Sequence, residues 1–425
     1  MKNKTVTLLS QGCRLNHSET AGLINDFRNA GIEEVSMDQN PDIVIINTCT
    51  VTENGDKDTQ KLLRKINQTC KNTKVALIGC QSQIKKAQLL KLPNVQWVIG
   101  NEEKKNTKNI VLGGESGVHV GKISNKPFFQ TYSSFDPRHT RVNLKIQDGC
   151  DFYCAFCIIP FARGPARSRN FDNIIEDARS LIGLGVKELV LTGINLGTYE
   201  NSGINFYELL ETLLNLNLNT RIRISSIEPT TIGGKLIELW EKHPNFCRYL
   251  HLPIQSGTNE ILTLMRRKYS IEVYDDYIKT IKSQLPEICI GTDVIVGFPG
   301  ETDALFEKTV HYLNNAPIDY FHVFSYSERT MAHSRKFEHP VDKKEIKRRS
   351  EILRHLHAKK WADYLHNEIG KKRSVLFEQK KGDDWIGSTE HFVKVRLKSN
   401  ENLKNNVVNV KLKDVRNQEM VGELA

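Results

Sequence analysis

No stretch of this 425-residue chain approaches the roughly 20 consecutive apolar residues that a membrane helix needs, so a helical span is excluded. No secretory leader is expected either, because the first apolar run, Val6 to Leu9, goes straight into Gln11-Gly12-Cys13, and a cytoplasmic location is expected. Internal repeats and low-complexity tracts are absent, which removes solenoid and disordered classes. The nine cysteines cannot all pair, and a reducing compartment disfavours a disulfide framework, so metal binding or catalysis is the better expectation. What the chain has instead is a surplus of positive charge, +10, which favours polyanionic partners.

A length of 425 residues is too great for one ordinary core. Residues 1–100 alternate apolar runs (Val6–Leu9, Ile43–Ile46, Val75–Ile78, Val95–Ile99) with helical segments, the pattern of an α/β domain with a parallel sheet. Residues 101–138, rich in Gly, Ser, Asn and Lys, read as a linker carrying a little strand. Across 139–330 six further strands alternate with helices: Val142–Gln147, Glu188–Leu191, Ile222–Ile227, Tyr249–Pro253, Thr292–Val296 and Phe321–Tyr326. Six βα units suit a barrel or an open doubly wound sheet, and either places ligands at the carboxyl ends of the strands. A charged helical connector occupies 331–371; from Val341 to Arg373 there are eleven Lys or Arg against five Asp or Glu. Short strands between turns then make 372–425 a small β-barrel, expected to lie outside the central domain.

Cys150, Cys154 and Cys157 fall in one tight loop after the first strand of the central domain. Three thiolates so close repel unless a metal neutralises them, and soft thiolates select zinc, copper or iron–sulfur clusters. A closed zinc site wants a fourth ligand nearby, and none follows in the local sequence. Three ligands to a four-iron cluster leave one iron open for a substrate. Cys13, Cys49 and Cys80 each follow an apolar run of the N-terminal sheet, so parallel strands would carry them to one edge, where they could share a metal centre. Cys70, Cys247 and Cys289 belong to neither set and are assigned no chemistry.

The spacing Cys150-x3-Cys154-x2-Cys157, with an aromatic before the last cysteine, resembles the signature of the radical S-adenosylmethionine (SAM) superfamily. The phrases Gly12-Cys13-Arg14-Leu15-Asn16, Asn47-Thr48-Cys49 and Gly79-Cys80-Gln81 resemble the N-terminal domain of methylthiotransferases, as do Ile158 to Gly164 and Arg167-Ser168-Arg169 after the radical motif. The likeness covers essentially the whole chain. It implies a partial (βα)6 barrel, two 4Fe-4S clusters and SAM as cofactors, with Cys150, Cys154 and Cys157 on the catalytic cluster and Cys13, Cys49 and Cys80 on an auxiliary one. It further implies that one SAM gives a 5′-deoxyadenosyl radical while another donates a methyl group to sulfur. An external electron donor and a sulfur donor follow as partners.

Polar and Gly or Pro residues after the central strands suit that cofactor: Thr192, Gly193 and Asn195; Ser225 and Glu228; Gln255; Gly297 and Pro299. Arg163, Arg167, Arg169, Arg266 and Arg267 near strand ends are candidates for RNA phosphates. The tail resembles the RNA-binding TRAM domain, with Lys394 and Arg396, and likewise Lys411 and Lys413, alternating along strands and so facing one way. Within the family, substrates are a threonylcarbamoylated adenosine or an isopentenylated adenosine in the tRNA anticodon stem-loop, or an aspartate of a ribosomal protein. The phrases Thr50 to Lys57, His251 to Gly257 and Met265 to Tyr269 most resemble the threonylcarbamoyladenosine group. A non-enzymatic iron–sulfur RNA-binding or electron-transfer protein is the reading from another class, and the strand-end motifs suited to an organic cofactor speak against it.

Overall fold

The computed structural model describes residues 4–70, 72–126, 128, 130 and 140–425. Contacts divide the chain into two units: residues 1–136, 143–173 and 327–335 form the first, and residues 137–142, 174–326 and 336–425 the second.

The first unit is built on β1 (Thr5–Ser10), β2 (Glu33–Glu34), β3 (Ile43–Thr48), β4 (Lys74–Gly79), β5 (Val95–Ile99) and β6 (Gly117–His119), a parallel sheet in the order β2-β1-β3-β4-β5-β6. Every residue of β3 is buried, as expected for a parallel strand covered on both faces. Ile43 and Ile45 turn to one side, into a core with Leu23 and Phe27 of α1 (Arg14–Asn29) and Val111 of α5 (Thr107–Gly113). Val44 and Ile46 turn to the other, against Leu63 and Ile66 of α2 (Glu53–Thr69) and Leu89 of α4 (Ala87–Leu90), which follows α3 (Cys80–Lys85). The segment after Asn101, read from sequence as linker, therefore supplies a covering helix and the sixth strand; its end, 131–139, lies outside the described residues. Also here are β8 (Gln147–Asp148) paired with β9 (Arg167–Ser168), and α6 (Ile159–Arg163).

The chain crosses between the units within β7 (Arg141–Lys145) and α7 (Phe171–Gly183). In the second unit β10 (Glu188–Thr192), β13 (Arg221–Ile224), β14 (Tyr249–His251), β15 (Cys289–Val296) and β16 (Tyr320–Ser325) lie side by side; β10 pairs with β13, β14 with β15 and β15 with β16, all parallel. A bond from Ile227 N–H to His251 O at 3.2 Å joins the segment after β13 to β14. A hairpin, β11 (Glu200–Asn201) and β12 (Ile204–Asn205), leads into α8 (Phe206–Leu214); α9 (Lys235–Lys242), α10 (Asn259–Leu264), α11 (Ile271–Gln284) and α12 (Asp303–Asn315) complete the βα alternation. The 26-residue α13 (Lys343–Glu368) leads to a closed barrel of β17 (Lys372–Lys381), β18 (Asp384–Thr389), β19 (Lys394–Lys398), β20 (Val407–Arg416) and β21 (Glu419–Leu424).

The terminal barrel closes on itself outside the parallel strands and packs against them. Val375, Phe377, Trp385, Val395 and Met420 share one apolar core with Tyr249, Cys289 and Tyr320 from the parallel strands and with Tyr364 and Leu365 of α13. Arg223, fully buried, forms an ion pair with Glu188 at 2.7 Å and donates to the carbonyls of Thr389 and Glu390, both at 3.1 Å. The tail thus satisfies a charge pair at the base of the parallel strands. Among the described residues no helix is long and apolar enough to cross a membrane.

Candidate iron–sulfur and cofactor sites

The first unit holds all six cysteines of the two sequence motifs. β1, β3 and β4 run parallel and in register, Ser10 beside Asn47 and Thr48 beside Gly79, so the residues that follow them emerge at one edge. Cys13 caps α1, Cys49 begins the loop to α2, and Cys80 is the first residue of α3. Cys13 is the exposed member, Cys49 half-buried and Cys80 buried. Burial, then the neighbouring Cys80, push the Cys49 thiol up to about 12. Such a group stays protonated at neutral pH unless a cation takes the proton's place, as soft thiolates bound to metal do.

The packing at this edge depends on glycine. Gly12 has φ +86°, and a Cβ there would lie 2.4 Å from Cys49 Cβ and 2.7 Å from its Sγ. Gly79 has φ +98°, and its Cβ would lie 2.5 Å from Asn47 Oδ1. Asn16 Nδ2 donates to Gln11 O at 2.8 Å and to Thr48 O at 3.0 Å, tying the Cys13 and Cys49 loops together. Asn47 Nδ2 donates in turn to Asn16 O at 3.0 Å. Asp56 accepts from Thr50 Oγ1 at 2.8 Å, Gln81 Nε2 at 2.9 Å and Arg329 Nη1 at 3.0 Å, which fixes the loop after Cys49 against the start of α3.

Cys150, Cys154 and Cys157, each half-buried, lie in the loop from β8 to α6. Cys157 N–H donates to Cys154 O at 2.9 Å and Cys150 N–H to Gly164 O at 3.1 Å, closing the loop on itself. Gly149 has φ +72°, and a Cβ there would stand 1.8 Å from Pro165 O. Asn101 Nδ2 donates to Ala162 O of α6 at 2.6 Å and lies 3.6 Å from Cys80 Sγ.

Arg163, the last residue of α6, is fully buried. Its guanidinium reaches Asn16 Oδ1 at 2.7 Å, Asp148 Oδ1 at 2.9 Å and Glu19 Oε1 at 3.0 Å. Lys145 and Lys104 complete the neutralisation of Glu19, at 2.7 and 2.5 Å. Although burial opposes it, Asp148 and the Cys80, Glu19 and Cys13 groups hold Arg163 charged. A fixed cation from a helix that belongs to the downstream motif therefore acts on all three upstream thiols.

Three of the arginines proposed for RNA have no access to a phosphate, and their assignment is corrected: Arg163 and Arg169 are 0% exposed, and the Arg267 side chain 1%. Arg169 Nε donates to Asn173 Oδ1 at 2.6 Å, and Arg267 pairs with Glu228. Arg167 is nearly buried, 3.5 Å from Glu102 and 3.7 Å from Asp148. Arg266 and Lys394 are exposed; Arg396 is half-buried and pairs with Glu419. Cys70, Cys247 and Cys289 are buried, Cys70 and Cys289 within apolar cores, and burial pushes Cys247 up to about 12.

In the second unit the strand-end residues stand where the sequence puts them. Thr192 closes β10; among the described residues its buried Oγ1 has no hydrogen-bond partner, nor has the Oγ of Ser225 just after β13. Such orphaned hydroxyls fit a polar ligand. Gly193 is half-buried and Asn195 buried after the same strand, with Thr231 Oγ1 donating to Asn195 Oδ1 at 3.5 Å. Gln255 adopts φ +69° and bridges to β15 through its backbone. Gly297 has φ +80°, and its N–H donates to Glu301 Oε2 at 2.5 Å, so Glu301 is occupied as a local cap with Pro299 buried beside it. Glu228 is held by Arg267.

Sequence reasoning did not single out Asp56, Glu19, Asp148, Asn101 or Arg329. Partners such as Lys104 for Glu19, Ala162 for Asn101 and Arg329 for Asp56 lie far off in the chain, and only the fold brings them together.

Residues 144–313 match the family model described as Radical SAM superfamily, and residues 5–100 that described as Uncharacterized protein family UPF0004. The chain is 35% identical over 96% of its length to the threonylcarbamoyladenosine tRNA methylthiotransferase MtaB of Bacillus subtilis (strain 168), covering 93% of that protein. It is 32% identical over 98% of its length to the tRNA-2-methylthio-N(6)-dimethylallyladenosine synthase of Chloroherpeton thalassium, covering 95%. Among solved structures it resembles the radical SAM methyltransferase TsrM from Kitasatospora setae, with a TM-score of 0.57 at 14% identity, covering 76% of this chain and 73% of that one, a likeness of fold. With the cysteine loop after β8, the strand-end hydroxyls and full-length relatives of one enzymatic class, the chain belongs to the radical SAM methylthiotransferase family.

Proposed function

We propose that this enzyme adds a methylthio group to carbon 2 of threonylcarbamoyladenosine beside the anticodon of tRNA, using two 4Fe-4S clusters. The observation that carries the two-cluster reading is the pair of three-cysteine sets within one unit, both braced by Arg163. The substrate reading is supported by relatives named for threonylcarbamoyladenosine at 33–35% identity, beside 31–32% for those named for dimethylallyladenosine.

The residues divide the work. Cys150, Cys154 and Cys157 would hold the catalytic cluster, and Cys13, Cys49 and Cys80 the auxiliary one. When bound, the first supplies, with SAM, a radical able to take hydrogen from an unactivated C–H bond, and the second supplies a place for sulfur and its methyl group. Arg163 offsets the negative charge of the upstream thiolates; Asn16 and Asn101 hold their loops. Thr192 and Ser225 offer hydroxyls to SAM. Exposed Arg266, Lys394 and Lys398 are left for tRNA phosphates.

The test is anaerobic turnover of the reconstituted protein with SAM, a reductant and anticodon stem-loops carrying threonylcarbamoyladenosine or dimethylallyladenosine, read by mass analysis of the nucleosides. A methylthio product from the first RNA alone is expected. Product from the second alone would transfer the assignment to dimethylallyladenosine, and 5′-deoxyadenosine formation separates either enzyme from an electron carrier.

A further inference from the structure

The second unit carries a polar cluster with no part in the sites above. On β14, β15 and β16 the register places His251 beside Gly291 and Asp293 beside His322. The opposite face of β15 is covered: Thr292, next to Asp293, lies 3.3 Å from the Tyr274 hydroxyl of α11. His251, Asp293 and His322 therefore point to the concave side of the strands. So do Tyr249 and Tyr320, two residues earlier on β14 and β16, whose hydroxyls are 2.6 Å apart.

His251 is 7% exposed, Asp293 half-buried and His322 exposed. His251 Nδ1 lies 2.8 Å from Ser226 Oγ. Its Nε2 lies 3.2 Å from Asp293 Oδ1, yet among the described residues neither atom has a well-formed hydrogen bond. One ligand atom from each of the three residues falls within 4.8 Å of the others, so one small polar group can touch all three. Buried imidazole and carboxylate atoms left in this state cost stability unless a ligand completes them.

We propose that His251, Asp293 and His322 recognise the polar substituent of the modified base and exclude a hydrocarbon one. This rests on the threonylcarbamoyladenosine reading above. A threonylcarbamoyl group carries ureido N–H groups and a hydroxyl, which a carboxylate accepts, and a carboxylate of its own, which an imidazole N–H can meet. A dimethylallyl group offers only carbon and would leave Nε2 of His251 and Oδ1 of Asp293 unpaired. Sites built to hydrogen-bond a polar group discriminate strongly against analogues that lack it.

The experiment measures affinity of the cluster-loaded protein for stem-loops carrying threonylcarbamoyladenosine, dimethylallyladenosine or plain adenosine. His322→Ala removes an exposed side chain and Asp293→Asn keeps its shape, so both variants should fold, with cluster absorbance as the check. The parent protein should bind the threonylcarbamoyl RNA at least about tenfold more tightly than the plain RNA. Both substitutions should bring that ratio close to one without weakening plain RNA, and His322→Gln, which keeps an N–H donor, should recover part of it. An unchanged ratio in both variants would overturn the proposal while leaving the substrate reading intact. A parent that methylthiolates only dimethylallyl RNA would overturn both. Stoichiometric Zn2+ binding that is lost in Asp293→Asn would make the cluster a metal site and end the recognition proposal.

Discussion

Arg163 Nη2 donates to Asn16 Oδ1 at 2.7 Å, joining the helix that follows Cys157 to the helix that follows Cys13 across 147 residues of sequence. The two cysteine motifs are thus parts of one packed structure. Asn16 already ties the Cys13 loop to the Cys49 loop, so a disturbance at Arg163 reaches all three upstream cysteines.

Removal of Arg163 should therefore be costly. Arg163→Gln leaves Glu19 and Asp148 buried with reduced compensation, and breaking a buried pair typically costs about 3–5 kcal/mol. Chemical denaturation should show a loss of that order, with iron lost from both sites. Arg163→Lys keeps the charge but not the fork that reaches three acceptors, and should fall between. Parent-like stability and iron in Arg163→Gln would remove the bracing role.

Gly12→Ala tests the upstream edge alone. Its Cβ would collide with Cys49 at 2.4 Å, in a backbone conformation that disfavours side chains. Iron should fall from about eight to about four atoms per chain, matching Cys49→Ala. Eight irons in either variant would mean that Cys49 holds no cluster.

Much of this was legible in the sequence. The apolar runs marked the parallel strands because a strand buried on both faces has no polar side, and the cysteine spacing marked the metal loop. The end of the α/β domain was hidden because β6 is an edge strand of three residues with Val118 exposed, a weak apolar signal. Arg163 was misread because an arginine in a loop near a strand end has the same local pattern whether it meets phosphate or Asp148 and Glu19. His251, Asp293 and His322 sit on three strands, and nothing in their spacing announces a shared face.

Acid stability should report the pair at the base of the parallel strands. Burial would raise the Glu188 carboxyl, but Arg223 outweighs it and holds the group down to about 2 from an ordinary 4.5. A depressed pKa in the folded state means stability fully present above about 4.5 and lost as pH falls toward about 2, on the order of 3 kcal/mol. Glu188→Gln should flatten that part of the pH–stability curve and lower the neutral plateau, because Arg223 stays buried without its counter-ion. A parent curve already flat between pH 5 and 2 would contradict the assignment.

The terminal barrel gives the last test, because its two roles respond to different changes. Truncation after Lys372 would strip the cover from Tyr249, Cys289 and Tyr320 and remove the Thr389 and Glu390 carbonyls that Arg223 uses. The whole second unit should then lose cooperative unfolding, and SAM cleavage should disappear with it, so truncation cannot isolate RNA binding. Surface substitutions can. Lys394 and Lys398 are exposed on β19 while the intervening Val395 and Leu397 are buried, so Lys394→Glu with Lys398→Glu leaves the core untouched. That variant should cleave SAM to 5′-deoxyadenosine at the parent rate, bind tRNA more weakly, and show a shallower dependence of binding on salt by about one to two counterions. A truncated protein that still folds and cleaves SAM would refute the shared core. Parent-like tRNA affinity and salt slope in the double variant would take these lysines out of the RNA interface.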